Sequence, residues 1–442
     1  MYRRALWIFV ALTFSSFAVS FLRVNIGVIH IPYPVLGMGL ILLGWIFSLC
    51  LRPGSLLGPL FPPDFRILGL LCFLFLTWHL TSMLLSGGLV EPGYIAPSKQ
   101  TFKIAAGLGL FWVTVLLFPR DPRFLERFWH IVLWSSMPLL GYLIFRSVSI
   151  GNHFLSSLNT FDDPSFMGGR NQVAWYVAII VQYAFWAFQQ KGRRLVVLVP
   201  LVVTSFSLIY SVSRTAWIVA SVGLLYVPLS MLIFDVKKAA KILTVMMVIG
   251  LLLVAGGIWV VSEYGDISEL SLKFRWFFSP EDVPELNSFE TRWHRVRDAL
   301  GGFLVSPIIG LGVRNFSYLV SSGTPHNDYA AILAELGLIG EVLFLGILLM
   351  IGKFCLRRPK FAKETNWPSI ASRGAFWSLL IGSAFMDMYT MPHYWIFAGL
   401  FVVGREIEER QLVGKGLLRE GLRPTTRGST TPGPTVTSPE LA

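Results

Sequence analysis

Charge is scarce in this chain, and that scarcity decides its class. Only 14% of the 442 residues are Asp, Glu, Lys or Arg, against about 25% in soluble domains. Hydrophobic residues make up 54%, and the mean hydropathy is +0.63. A water-soluble globular domain is excluded, and repeated burial in lipid is indicated. Cysteine is equally rare: Cys50, Cys72 and Cys355 show no C-x-x-C spacing, which excludes a disulfide framework and a structural zinc site. The acidic groups Asp162-Asp163 and Glu281, Asp282, Glu285 have no histidine at ligand spacing. They read as solvated loop carboxylates, and neither a metal nor another cofactor is expected. A Walker-type phosphate loop and a Ser-His-Asp signature are also missing. The net charge of +12 would suit nucleic acid only if it formed a basic face in water. Here the basic residues punctuate apolar runs, so topology explains them and nucleic acid is not an expected partner.

Long apolar runs are what the chain has in abundance. Runs of about 17 to 25 residues predict membrane spans. They fall near residues 5–22, 33–51, 66–86, 101–118, 124–146, 172–189, 193–211, 214–234, 240–261, 328–352, 370–386 and 391–404. The expected fold is an all-α polytopic membrane bundle of about twelve transmembrane helices. Most of the 37 lysines and arginines lie on alternate connecting segments, which by the positive-inside rule makes both termini cytoplasmic. Arg3 and Arg4 before an apolar run, with Ala18-Val19-Ser20 near its end, have the outline of a cleavable signal. Removal would leave a Pro-rich terminus at 31–34, so a retained first helix is expected. Residues 262–327, outside on this topology, form the longest connection and should fold into short helices, one over Glu290–Leu304 ending before Pro307. Residues 1–404, with the loop 262–327, form one transmembrane unit. Residues 405–442 end in a Thr/Pro/Gly-rich segment and are expected to be a cytoplasmic, largely disordered tail.

The polar chemistry concentrates in residues 292–340. This stretch holds Arg292, Arg295, Arg297 and Arg314, His294 and His326, and the turn Pro307-x-x-Gly310-x-Gly312. His326, between Pro325 and Asn327, stands at the outer start of the 328–352 run. Histidine takes up a proton near neutral pH and suits a general base there; the alternative is an interfacial histidine that caps the helix. Arg214 opens its span between Ser213 and Thr215. Burying a guanidinium in hydrocarbon is costly, so Arg214 either faces a polar cavity or snorkels to the headgroups. Arg292, Arg295 and Arg297 carry planar forks that hold phosphate oxygens in pairs; the alternative is a solvated basic face against lipid headgroups. Gly310 and Gly312 permit a tight turn with close backbone approach.

The segment His326-Asn327, nine residues, then Gly337-Leu338-Ile339-Gly340 resembles the H-[NSQ]-x9-G-x-x-[GTY] pattern of the O-antigen ligase and bacterial O-oligosaccharyltransferase superfamily. Arg292 followed by Pro307, Gly310 and Gly312 is similar to that family's approach to the histidine. Ser213-Arg214-Thr215-Ala216 resembles its S-R-[ST]-A helix start, and Gly169-Arg170-Asn171-Gln172-Val173-Ala174 its G-x-N-x-x-A motif. Val296 departs from the pattern, where many members have tryptophan. The resemblance implies a GT-C-like membrane glycosyltransferase, metal-independent and inverting, in a bacterial inner membrane. It would move a glycan from undecaprenyl diphosphate on the periplasmic face to lipid A core, as in lipopolysaccharide synthesis. Carried over, His326 would activate the acceptor hydroxyl and Arg214 and Arg292 would hold the diphosphate, with Arg295, Arg297, Asn327, Arg170 and Asn171 as further substrate contacts. A polymerase of the same superfamily, acting on another lipid-linked glycan, is the nearest alternative. A secondary transporter is the distant one, because it would show two related six-helix halves and mid-membrane ionisable residues such as His79 or His130 at work.

Overall fold

The computed structural model describes residues 2–17, 23–26, 29–50, 65–86, 95–142, 170–190, 192, 194–211, 213–232, 235–264, 287–320, 323–356 and 367–414. Among these, helices dominate. In chain order they are α1 (Tyr2–Leu12), α2 (Tyr33–Cys50), α3 (Arg66–Ser86), α4 (Ile95–Leu117), α5 (Pro122–Ser135), α6 (Arg170–Phe188) and α7 (Arg194–Tyr210). Then come α8 (Arg214–Met231), α9 (Val236–Tyr264), α10 (Asn287–Val305), the single turn α11 (Phe316–Leu319), α12 (Asp328–Leu356), α13 (Trp367–Phe385) and α14 (Pro392–Gly414). One antiparallel hairpin, β1 (Arg23–Ile26) with β2 (Ile29–Pro32), joins α1 to α2.

Among the described residues three helices, over Arg66–Leu85, Ala96–Leu117 and Asp328–Phe354, are long and apolar enough to cross a membrane. Four more apolar helices are shorter, over Tyr33–Ile46, Val173–Phe188, Arg194–Ile209 and Arg214–Leu229. The helical, apolar character is as expected, but among the described residues three of the anticipated runs are interrupted, after Leu12, at Ser136 and at Gly337. The first ends as an α-helix at Leu12, where the Thr13 hydroxyl donates to Phe9 O at 2.8 Å, and a 3-10 turn over Phe14–Phe17 follows. The run from 124 to 146 is interrupted by a turn at Ser136, whose hydroxyl donates back to Val132 O at 2.8 Å, and resumes as helix over 137–142. In both places the residue's own amide still donates to the same carbonyl, so the hydroxyl is an added bond of the kind that bends helices, and a hydropathy window does not register it. The loop helix anticipated over Glu290–Leu304 is present as α10. Beyond residue 404 the last helix continues to Gly414, with Arg405 and Glu408 buried, so the start of the expected tail is helical. Residues 415–442 lie outside the described residues.

The helix α6 is buried on all sides from Val173 to Ala187, as a helix apolar all round should be. Beside it, α8 and α13 pack antiparallel at small residues. A Cβ on Gly374 would collide with the Gly223 carbonyl. Ser378 Oγ donates to Val219 O at 2.7 Å, and Gln182 Nε2 of α6 donates to Ser378 Oγ at 2.7 Å. Small residues let apolar helices approach where lipid offers no other driving force. The antiparallel contact brings Arg214, first residue of α8, to the end of the bundle where α13 finishes.

At that end α12 is broken. Gly337 takes φ +65° and ψ −166°, which no helix allows. The freed backbone groups are satisfied by the Pro307–Gly312 turn: Leu311 N donates to Ala334 O at 2.8 Å, Gly312 N to Glu335 O at 2.8 Å, and Leu338 N to Pro307 O at 2.9 Å. Trp78 Nε1 donates to Leu336 O at 2.9 Å. Non-helical backbone at membrane depth survives only with such internal partners. A Cβ on Gly310 would strike the Glu335 carbonyl, and one on Gly337 the Ile308 carbonyl, so both glycines are there to let two backbones touch. The opposite end of the bundle is tied by ion pairs: Arg4 with Asp121 at 3.2 Å, Arg120 with Glu406 at 2.7 Å, and Arg373 with Glu408 at 3.1 Å.

Candidate active site

The helix α10 lies over the first half of α12. Val296 and Ala299 pack on Phe316, Ala330 and Ala334, forming a small apolar patch separate from the main core. Counting from that patch, Arg292 and Arg295 share its stripe at helical spacing, whereas Arg297 falls on the exposed side. Arg292 reaches the head of α8: its Nη1 lies 3.4 Å from Thr215 Oγ1, the residue after Arg214. Arg295 reaches the segment before the histidine, with Nη1 3.5 Å from Thr324 O. Two of the three arginines in this helix therefore point inward, and each bridges to a different part of one site.

His326 sits in a left-handed backbone conformation, φ +52°. For a residue with a Cβ this costs about 1–2 kcal/mol; strain of this kind gathers at functional positions. Its Nδ1 lies 3.3 Å from Asp387 Oδ2, in the loop between α13 and α14. The other ring nitrogen, Nε2, points away from that carboxylate, as imidazole geometry requires. Thr324 donates its hydroxyl to the same Oδ2 at 2.5 Å. Two further contacts hold the Asp387 loop against the start of α12. Asp328, fully buried, accepts from Met388 N at 2.8 Å and Tyr389 N at 3.1 Å. Asn327 caps α12, accepting from Ala330 N at 3.0 Å, while its amide donates to Ala384 O at 2.9 Å. Burial, with Glu335, Asp328 and Asp387 beside it, holds the Tyr389 phenol well above its ordinary range, so it stays neutral.

The structure thus brings His326, Asn327, Arg295 and Asp387 into one contact network, and Arg292 to the helix that Arg214 heads. Asn327 serves both bonds above as a cap and tie. Arg297 stays apart on the outer face of α10. Arg170 and Asn171 begin α6, and their side chains lie outside the described residues. Asp387 and Asp328 were not anticipated. Asp387 is the one acidic residue in the apolar stretch 367–404, and an ionisable group in such surroundings is a functional candidate by default. No curated protein matches the chain. Residues 199–345, from within α7 past the kink of α12, match the O-antigen ligase family model, and Arg214, Arg292, Arg295 and His326 all lie within the matched residues.

Proposed function

We propose that this chain is a metal-independent, inverting glycosyltransferase of O-antigen ligase type. It moves a glycan from undecaprenyl diphosphate to a hydroxyl of lipid A core on the periplasmic face of a bacterial inner membrane, and both its termini are cytoplasmic. The observation that carries the reading is the pairing of His326 with Asp387, at the end of the bundle where Arg292 reaches the helix begun by Arg214. The acceptor hydroxyl meets His326 Nε2. As its oxygen bonds to sugar C1, the bond from C1 to the diphosphate oxygen breaks and the proton passes to Nε2. Asp387 balances the imidazolium, and undecaprenyl diphosphate leaves with the electron pair. Arg214 and Arg292 take up the charge that grows on it, fixed cations being most effective where charge develops. Attack opposite the leaving group inverts C1. Because a diphosphate already leaves well, positioning, a base and preorganised positive charge are what the protein must supply.

Gene deletion followed by gel analysis of surface glycan tests the reading. Long chains accumulating on the lipid carrier without reaching lipid A are the expected result. Single repeat units on lipid A instead would assign the chain to polymerisation, the alternative acceptor chemistry. Complementation with His326→Ala or Arg214→Ala should fail although the protein is in the membrane; near-normal product from either variant overturns the mechanism.

A further inference from the structure

Behind the His326–Asp387 pair lies a second feature that the mechanism above does not use. A cavity of about 290 Å³ opens between the start of α4, the turn after Gly312 and the Asp387 loop. Its charged and amide lining is Lys99, Gln100, Lys103, Arg314, Glu335 and Asp387. Lys99, Gln100 and Lys103 occupy one face of α4 by their spacing. Among the described residues, neither lysine has a carboxylate within ion-pair distance. Of the cavity's two acids, Glu335 accepts from Gln100 Nε2 at 3.2 Å and lies beside Arg314, and Asp387 serves His326 and Thr324, which leaves the two lysines unmatched. Arg314 has φ +65°, and with His326 it is one of the two non-glycine residues in a left-handed conformation among the described residues. Both border this space, Arg314 directly and His326 through its neighbours Thr324 and Pro325.

Three cations held around one small cavity, one of them by a strained backbone, favour an anionic occupant. None of Arg214, Arg292 and Arg295 lines the cavity. We infer that it is an acceptor subsite, which takes a sugar bearing a carboxylate or phosphate and so presents the neighbouring hydroxyl to His326. The inference rests on the proposed function, in which the diphosphate occupies the arginine side and the acceptor must approach from the other. The volume is at the small end for ligand sites, about 300 Å³ and upward, and suits a single sugar ring.

The test is calorimetric titration of the full chain in detergent with glucuronate, glucose 6-phosphate and glucose, and separately with farnesyl diphosphate. Wild-type protein should bind one or both anionic sugars at least about tenfold more tightly than glucose, and the two arms tell carboxylate from phosphate. Lys99→Ala/Lys103→Ala should abolish that preference and leave farnesyl diphosphate binding unchanged; Lys99→Arg/Lys103→Arg should restore it. Both lysines are exposed, so the alanine variant should fold. Arg214→Ala/Arg292→Ala should do the reverse. Equal binding of all three sugars, a preference that survives the lysine changes, or one lost only in the arginine variant would overturn the subsite. Farnesyl diphosphate binding that ignores the arginine changes would instead overturn the donor reading alone.

Discussion

Asp387→Asn is the sharpest perturbation of the proposed mechanism, because the structure fixes what it removes. An asparagine can keep its carbonyl oxygen on the Thr324 hydroxyl, so the loop held by Asp328 should stay in place. What is lost is the negative charge 3.3 Å from His326 Nδ1. The charge matters only once the imidazole has taken the acceptor's proton. At that distance Coulomb's law gives about 1.3 kcal/mol with the dielectric of water and about 5 kcal/mol at an effective value of 20. The histidine side chain is 42% exposed and the aspartate 22%, so the upper figure is screened; about 3 kcal/mol is the working value. At 1.36 kcal/mol per decade that is roughly a hundredfold in rate, within the range of about 10² to 10⁴ for general base catalysis. The assay is transfer by purified full-length chain from an undecaprenyl diphosphate-linked glycan, measured as kcat with saturating donor. The double variant with His326→Ala should be no slower than His326→Ala alone, since the carboxylate acts through the ring. A rate for Asp387→Asn within about threefold of wild type would refute the charge-balancing role, and so would a further hundredfold loss in the double variant.

Three other outcomes are expected. Gly337→Ala should lower stability by at least about 1–2 kcal/mol, the cost of a left-handed residue with a Cβ, and should also abolish transfer, since its Cβ must displace the Ile308 carbonyl; thermal unfolding in detergent and the transfer assay check both. Arg297→Ala should keep transfer within about twofold, a surface change, while Arg292→Ala and Arg295→Ala in the same assay should each lose most of it. Glu408→Ala should cost about 3–5 kcal/mol of stability, because it strips a carboxylate that receives bonds from buried Arg405, from Arg373 and from Ser369; calorimetric or fluorescence-detected unfolding reads this out, and equal melting temperatures would refute it.

The apolar runs placed many helices well because hydropathy and span length answer to the same solvent. The run 66–86 coincides with α3, and 193–211 and 214–234 stay close to α7 and α8. Interruptions were not legible. At Thr13 and Ser136 a hydroxyl shares the carbonyl that the residue's own amide also uses, and a window averages such a residue away. The separation of Arg297 from Arg292 and Arg295 was available in the spacing, since Arg292, Arg295, Val296 and Ala299 repeat at i, i+3, i+4 and i+7. Asp387 was available by parity. On the expected topology the gap between the last two runs opens on the same side as His326, and Asp387 is its single acid. What no local pattern carries is that these two gaps meet; that depends on Asp328 accepting two amides from the far loop.

The glycine motifs gain a physical meaning from the same geometry. In sequence, Pro307-x-x-Gly310-x-Gly312 and Gly337-x-x-Gly340 look like separate turn signals. In the fold the first lies against the second, four amide bonds joining the turn after α10 to the kink of α12. Arg292 and Arg295 precede this clasp on one strand of chain, and His326 precedes it on the other. A clasp of backbone bonds has one register, because a Cβ at either contact glycine would part the strands. Charge-bearing arginines and the histidine are thereby set at a fixed mutual distance without a covalent link. Preorganisation of this kind is where a transferase with an already good leaving group gains most. On the proposed mechanism, a shift of α10 relative to α12 would cost the arginines and His326 their alignment together.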